Sequence, residues 1–396
     1  MKSGLLGRKL GHSLSPQIHK FFGDYEYRLY EKEPDEVEAF LRTGFADGAF
    51  GFLNVTLPYK QTVFELCDEL SPVARRLRNV NFVTRTADGK LFGDNTDAFG
   101  VERLLDSAGV EVRGLNCAIL GAGGAAMTAK AILECRGAKR VTFVRRGESP
   151  AQDDDLIVNA TPVGMFPHSD EVRVDISQYV HAKAVLDLVY NPSPTRLVSE
   201  AKACGKLAAD GLVMLIAQAY RASRLVLGDR CSVPDGDAQG IKHQAPSTLF
   251  LYGPPASGKS TWAKRIAAAT GWTLVDLDAE IVRAESRTIP EIFAAAGEVG
   301  FRKLEQRELK RVCASTGPQV VALGGGALLD AENRALVERV GRVVVIDCPL
   351  ETLKSRLVGA DRPLSADAAR LEALVRSRTQ HYASFPCHVD FTSVFK

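Results

Sequence analysis

The chain has 396 residues, 45% of them hydrophobic and 25% charged, and a formal net charge of +2. That length and balance allow two cores or three and exclude an intrinsically disordered chain, and the near-neutral charge excludes recruitment of nucleic acid or an anionic membrane by a global field. Apolar stretches such as residues 184–189 and 343–346 are far too short to span a bilayer, and no signal-peptide pattern follows Met1. The eight cysteines lie apart with no C-x-x-C pair. A cytoplasmic address and reduced core thiols, with neither disulfides nor zinc, are therefore expected.

Taken from the front, Ser15-Pro16 reads as an N-cap followed by proline at the first helical position, so that Ser13 and Ser15 can offer hydroxyls and helix N–H groups to an anion. From residue 116 onward, short apolar runs alternate with helical patterns: NCAIL, RVTFV, DLIVN and AVLDLV, then LFLY, TLVDLD, QVVAL and RVVVID. This alternation predicts α/β architecture, with parallel sheets covered by helices. Between NCAIL and the next helix stands Gly121-x-Gly123-Gly124-Ala125-Ala126, a dinucleotide-binding turn with alanine in its last slot. The following strand ends at Arg145 and Arg146, where an NAD-binding turn would place a carboxylate for the ribose hydroxyls. Two guanidiniums suit a 2′-phosphate, so NADP(H) is the expected cofactor.

After the apolar helical run 213–227 comes a stretch rich in Gly, Pro, Asp and Gln with no apolar period, which places a linker at 237–246 between a front part, 1–236, and a rear part, 247–396. The rear part opens with LFLYGPPASGKST, a short strand running into Gly253-x-x-x-x-Gly258-Lys259-Ser260. In such a phosphate-binding loop, glycines let successive N–H groups point inward while a lysine and a helix N-terminus add positive charge. A nucleoside triphosphate is the expected ligand, cradled by Gly253, Ala256, Ser257, Gly258, Lys259, Ser260 and Thr261.

The front motifs GHSLSP, NVTLPYK, GDNTDAFG, GAGGAA, NATPVGM, LVYNP and DGLVMLIAQA resemble, in order, those of shikimate dehydrogenase. The resemblance implies an α/β substrate-binding part (1–100 and about 211–236) and a Rossmann-like NADP part (101–210). It implies that Ser13, Ser15, Asn54, Thr56, Asn81, Asp97 and Gln218 hold the carboxylate and ring hydroxyls of 3-dehydroshikimate or shikimate. It further implies that Lys60 and Asp97 handle the proton, and that Thr161 and Met165 of NATPVGM join the glycine turn at the cofactor. A lysine in a desolvating pocket beside a carboxylate is chemically suited to that task, and either group could be the formal acid. Three departures stand out: Phe82 where threonine is usual, Val213 where glycine is usual, and only about eight residues between Arg146 and DLIVN. The first two could crowd the pocket, and the third could trim the adenosine side of the NADP site.

The rear part resembles shikimate kinase, a P-loop-type parallel α/β fold, in its Asp276-Leu277-Asp278, its 289–305 segment, its Gly324-Gly325-Gly326, its Arg362-Pro363-Leu364 and Arg378 before Tyr382. The resemblance implies ATP with Mg2+ as the phosphoryl donor, with Asp278 to align and in one reading deprotonate the substrate hydroxyl and Ser260 and Asp276 to serve Mg2+. It implies that Arg302 and Arg378 clamp the shikimate carboxylate, with Phe293 and Phe301 against the ring and the triple glycine donating to hydroxyls. Arg362 is expected in a short lid closing over the phosphates, and Arg356 near adenine. Jointly the two resemblances imply consecutive reactions: reduction of the 3-keto group of 3-dehydroshikimate, then phosphorylation of the resulting 3-hydroxyl. A sensor built from the same modules would carry eroded chemistry or an added DNA-binding element, yet Lys60, Asp97, Lys259 and Asp278 are all present and no basic arm appears.

Overall fold

In a computed structural model, which describes residues 1–11, 13–228, 248–356 and 368–395, the chain divides into two units. One is built from Met1–Val226 and the other chiefly from Leu227–Ala267 and Gly271–Ser393. The expected linker at 237–246 and the expected lid residue Arg362 lie outside the described residues. No helix among the described residues is long and apolar enough to cross a membrane.

The first unit holds two sheets. Strands β1 (Lys2–Gly7), β2 (Glu26–Glu31), β3 (Phe50–Val55), β4 (Glu69–Leu70), β5 (Phe82–Arg85) and β6 (Leu91–Asp94) form one, in the order β2-β1-β3-β5-β6-β4. It is mixed rather than purely parallel, because β5 runs antiparallel to both β3 and β6. The β5–β6 reversal comes from the Thr86–Lys90 connection, where Thr86 N–H donates to Lys90 O at 2.9 Å and Gly89 takes φ +90°. A tight Asp-Gly turn of this kind returns the chain beside itself.

The second sheet, β7 (Asn116–Leu120), β8 (Arg140–Val144), β9 (Leu156–Asn159), β10 (Ala184–Asp187) and β11 (Leu207–Asp210), is entirely parallel in the order β11-β10-β9-β7-β8. It is buried on both faces, which explains the unbroken apolar runs. Along β7, Cys117 and Ile119 enter one core while Ala118 and Leu120 enter the other.

In the second unit β12 (Thr248–Tyr252), β13 (Thr273–Asp276), β14 (Gln319–Ala322), β15 (Gly341–Asp347) and β16 (His388–Asp390) are also all parallel, in the order β13-β14-β12-β15-β16. In both parallel sheets the chain leaves its first strand in one direction and later crosses to the other side. Ligand crevices form at such a switch point, beyond the carboxyl ends of the strands. Both glycine-rich turns stand there, one after β7 and one after β12.

The cysteines depart in part from the core thiols expected. Cys117 and Cys387 are buried, but Cys135 and Cys204 are exposed, because each falls at the C-terminal end of a surface helix. Burial pushes the thiols of Cys67 and Cys117 up to about 12, so they remain protonated.

Candidate active sites

The first site is a cavity of about 150 Å³ in the first unit. All eight residues expected at the substrate line it: Ser13, Ser15, Asn54, Thr56, Lys60, Asn81, Asp97 and Gln218. The elements that bring them together are short. Asn54 is the penultimate residue of β3, and Lys60 opens the helix Lys60–Leu66. Asn95 caps the helix Thr96–Ser107, its Oδ1 accepting from Ala98 N–H at 3.2 Å, and this puts Asp97 in the first turn. There Asp97 accepts a hydrogen bond from the Lys60 ammonium, with both side chains largely buried. Asn81 Oδ1 accepts from Thr96 N–H at 2.6 Å, and Asn54 Nδ2 donates to Gln218 Oε1 at 3.4 Å.

Ser15 is not the N-cap that its sequence suggests. The helix Ser15–His19 already includes it, and Ser13 Oγ instead accepts from Ser15 N–H at 3.2 Å. Leu14 occupies the cap with αR geometry, so the turn begins one residue before the proline requires it. Both hydroxyls still face the cavity. Phe82 and Val213, expected as possible obstructions, do not line it. Phe82 stacks on Phe52 at 5.7 Å on the opposite side of β5 from Asn81, as strand alternation demands, and Val213 packs into the core under β7.

Sequence reasoning missed two tyrosines. Tyr190 lines the cavity, and Tyr27 donates to Asn54 Oδ1 at 2.9 Å. Burial raises the hydroxyls of both, opposed by contact with Ser13 at Tyr190 and with Ser15 at Tyr27, so both stay protonated donors. LVYNP was the signal for Tyr190. Tyr27 lies in a strand with no motif around it.

The residues of the dinucleotide turn fit a pyrophosphate. Gly121 has φ +101°, and a Cβ there would stand 3.0 Å from Thr161 Cγ2. A Cβ on Gly123 would meet nothing within 4 Å, which leaves room for a ligand at the N-terminus of the helix Gly124–Cys135. A Cβ on Gly124 would stand 3.9 Å from Lys60 Cδ, so this turn abuts the Lys60–Asp97 pair. Ala125 follows in that helix, Thr161 donates to Asn159 Oδ1 at 2.6 Å, and Met165 is exposed. Arg145 and Arg146 project, exposed, after β8, which is the sheet's edge strand.

The second unit gathers the kinase-like residues. Gly253, Ala256 and Gly258 take φ of +131°, +62° and +96° around the loop. A Cβ on Gly253 would lie 2.7 Å from Ile346 O, so only glycine fits. Lys259 is buried and donates to Gly253 O at 3.0 Å and Pro254 O at 2.7 Å, folding back over the loop. Ser257 Oγ is buried without a hydrogen-bond partner, and Thr261 is exposed on the first turn of the helix. Ser260 Oγ donates to Asp276 Oδ2 at 2.6 Å, a hydroxyl and a carboxylate set as two hard oxygen ligands suited to Mg2+. Arg356 reaches across the loop, its Nη1 donating to Ala256 O at 3.4 Å.

The triple glycine is closely packed. Gly325 O accepts from Arg378 Nη1 at 3.1 Å and Tyr382 Oη at 2.7 Å, and a Cβ on Gly326 would lie 2.6 Å from Arg302 Nη2. Arg302 lies over the Phe301 ring at 5.4 Å, and Phe293 and Phe301 pack at 4.8 Å. A Cβ on Gly324 would stand 3.3 Å from Asp278 Oδ1 and 2.7 Å from Glu305 Oε1. Glu305, which sequence reasoning did not single out, is buried beneath this cluster with its Oε2 on Arg302 Nη1 at 2.6 Å. Burial raises its carboxyl and the Arg302 charge opposes the shift.

Among curated proteins, the shikimate dehydrogenase (NADP(+)) of Methanopyrus kandleri is 36% identical over 266 residues, covering 58% of this chain and 91% of that protein. The chain belongs to the shikimate dehydrogenase family. The Clostridium perfringens shikimate dehydrogenase (NADP(+)) is 34% identical, covering 56% of this chain and 90% of its own length. Residues 5–83 match the family model for the shikimate dehydrogenase substrate binding domain, and residues 255–393 match that for shikimate kinase. Shikimate 5-dehydrogenase from Thermus thermophilus, solved with NADP(H) and shikimate, is similar at 31% identity and a TM-score of 0.52, covering 58% of this chain and 94% of its own. A chorismate mutase/shikimate 5-dehydrogenase fusion from Clostridium acetobutylicum is similar at 33% identity and a TM-score of 0.53, covering 57% of this chain and 89% of its own. The shikimate dehydrogenase part thus occupies the front of the chain, and a shikimate kinase part follows it.

Proposed function

We propose that the chain is a bifunctional enzyme that reduces 3-dehydroshikimate to shikimate with NADPH and then phosphorylates the shikimate 3-hydroxyl with ATP. The observation that carries this reading is the buried Lys60–Asp97 pair, set in a cavity of hydroxyl-binding side chains against the glycine turn at Gly124. Bound NADPH supplies the hydride. Asn54, Thr56, Asn81 and Gln218 orient the ring hydroxyls, and Ser13 and Ser15 take the carboxylate. Lys60 then delivers a proton to the ketone oxygen as the C3–H bond forms, and Asp97 holds the ammonium in line and can exchange that proton with solvent. Thr161, Met165, Ala125 and the exposed Arg145 and Arg146 are assigned to the cofactor, the arginines to its 2′-phosphate.

In the second unit Arg302 and Arg378 orient the shikimate carboxylate, Phe293 and Phe301 pack on the ring, and Asp278 accepts the proton of the attacking 3-hydroxyl. That oxygen forms its bond to the γ-phosphorus of ATP as the bond to the ADP oxygen breaks. Lys259 and the loop N–H groups meet the charge on the transferred oxygens. Ser260 and Asp276 would hold Mg2+, which supplies further neutralisation of the phosphates. The two halves are separable by mutation. Lys60→Ala is expected to cut NADPH oxidation with 3-dehydroshikimate by roughly a hundredfold or more while shikimate phosphorylation persists, and Lys259→Ala to do the reverse. Loss of both activities from either substitution, in folded protein, would refute two independent sites.

A further inference from the structure

Asp187, the last residue of β10, is fully buried in the first unit and belongs to none of the groups assigned above. Its Oδ1 accepts two hydrogen bonds that run in different directions. One comes from Asn159 Nδ2 at 2.9 Å, the neighbouring residue in register on β9, and the other from Val189 N–H at 3.0 Å. Asn159 in turn fixes the turn that follows β9. Its Oδ1 accepts from Thr161 N–H at 3.1 Å and Thr161 Oγ1 at 2.6 Å, and its Nδ2 also donates to Val163 O at 3.2 Å. Thr161 is the side chain that meets Gly121 of the dinucleotide turn. On the other arm, Val189 lies between Leu188 and Tyr190, both of which line the substrate cavity, and Val189 O accepts from Gly211 N–H at 2.9 Å. One oxygen atom therefore ties a cofactor-side turn to a substrate-side wall.

A fully buried carboxylate is costly unless its hydrogen bonds are needed, and apolar packing alone would close β10 without it. We propose that Asp187 is a positioning residue that sets the Thr161 turn and the Leu188–Tyr190 wall together, and so controls the affinity of the first unit for both NADP(H) and 3-dehydroshikimate. This rests on the dehydrogenase reading given above. The Lys60–Asp97 pair stands on other elements, so removal of Asp187 leaves the proton-transfer geometry in place and acts on binding.

The test uses the full chain, with calorimetric Kd for NADP+ and the KM for 3-dehydroshikimate in NADPH oxidation. Asp187→Ala is expected to raise both by roughly fivefold or more, since each lost hydrogen bond contributes about 1 kcal/mol, with kcat at saturation changed less than about threefold. Asp187→Asn, which keeps an acceptor oxygen, should recover most of both affinities. Asn159→Ala cuts only the cofactor arm and should raise the NADP+ Kd while leaving the 3-dehydroshikimate KM near its wild-type value. If Asp187→Ala does not give a folded first unit by thermal melting, Asp187→Ser, too short to reach both donors, is expected to shift both constants in the same way. A shift in only one constant, or in neither, in folded Ala or Ser protein overturns the proposal, as does an Asp187→Asn variant as impaired as these. Wild-type protein that neither binds NADP+ nor reduces 3-dehydroshikimate overturns the dehydrogenase reading itself.

Discussion

Single residues of the first site form a network of neutral amide and hydroxyl groups, donors and acceptors both, around one ion pair. His19 shows how far burial controls their charge: it is fully enclosed, its Nδ1 lies 2.6 Å from the Tyr25 hydroxyl, and its ring stacks on Tyr27 at 3.9 Å. Burial holds its pKa at about 3, below the ordinary 6.5. Below about 6.5 the unfolded chain takes up a proton that the folded chain refuses until about 3, so the unfolded state binds more protons across that window. The contribution of His19 to stability is thus fully present above 6.5 and is lost progressively as pH falls towards 3. His19→Gln, which cannot titrate, should lose stability less steeply than wild type between about pH 7 and 4 in urea unfolding of the first unit, whatever its absolute stability. An unchanged slope would mean that His19 accepts its proton in the folded state.

Secondary-structure elements explain what was legible in the sequence and what was not. The glycine turns after β7 and β12 could be read because each needs a backbone that only small residues allow, and Gly121 and Gly253 both take positive φ. Candidates such as Asn54, Lys60, Asp97 and Lys259 could be read from motifs at strand ends and helix starts, whereas Gln218, Arg302 and Arg378 stand within helices and were reached only through the resemblance. Tyr27 was not legible, because it is placed by packing between distant elements and no neighbour in sequence flags it; Glu305 closes the 289–305 segment and pairs with Arg302 one turn earlier, but nothing in that segment marks it as the buried partner. The antiparallel β5–β6 pair was not legible although Asp88-Gly89 marks its turn, because its strands are only four residues each and too short to show an alternation. The stretch between β8 and β9 is short, yet β8 remains an edge strand with Arg145 and Arg146 exposed just beyond it. If this strand end holds the 2′-phosphate, Arg146→Asp should weaken use of NADPH by at least tenfold and leave use of NADH nearly unchanged, since a charge-assisted contact contributes about 1.5 to 3 kcal/mol. Equal effects on the two cofactors would remove the arginines from the site.

For the whole molecule, the two units have separate sheets and separate cores, and each has its glycine turn at its own switch point. One chain of 396 residues thus carries two nucleotide-dependent chemistries. What joins them functionally is a hydroxyl: the oxygen that receives a proton in the first site is the oxygen that attacks phosphorus in the second. The most direct measurement supplies the purified chain with 3-dehydroshikimate, NADPH, ATP and Mg2+ and follows both NADPH consumption and formation of a phosphorylated product by mass spectrometry. Shikimate 3-phosphate should accumulate only when NADPH and ATP are both present, with free shikimate accumulating when ATP is withheld. Failure of shikimate 3-phosphate to form with both nucleotides present, or its formation without NADPH, would contradict the two-step reading.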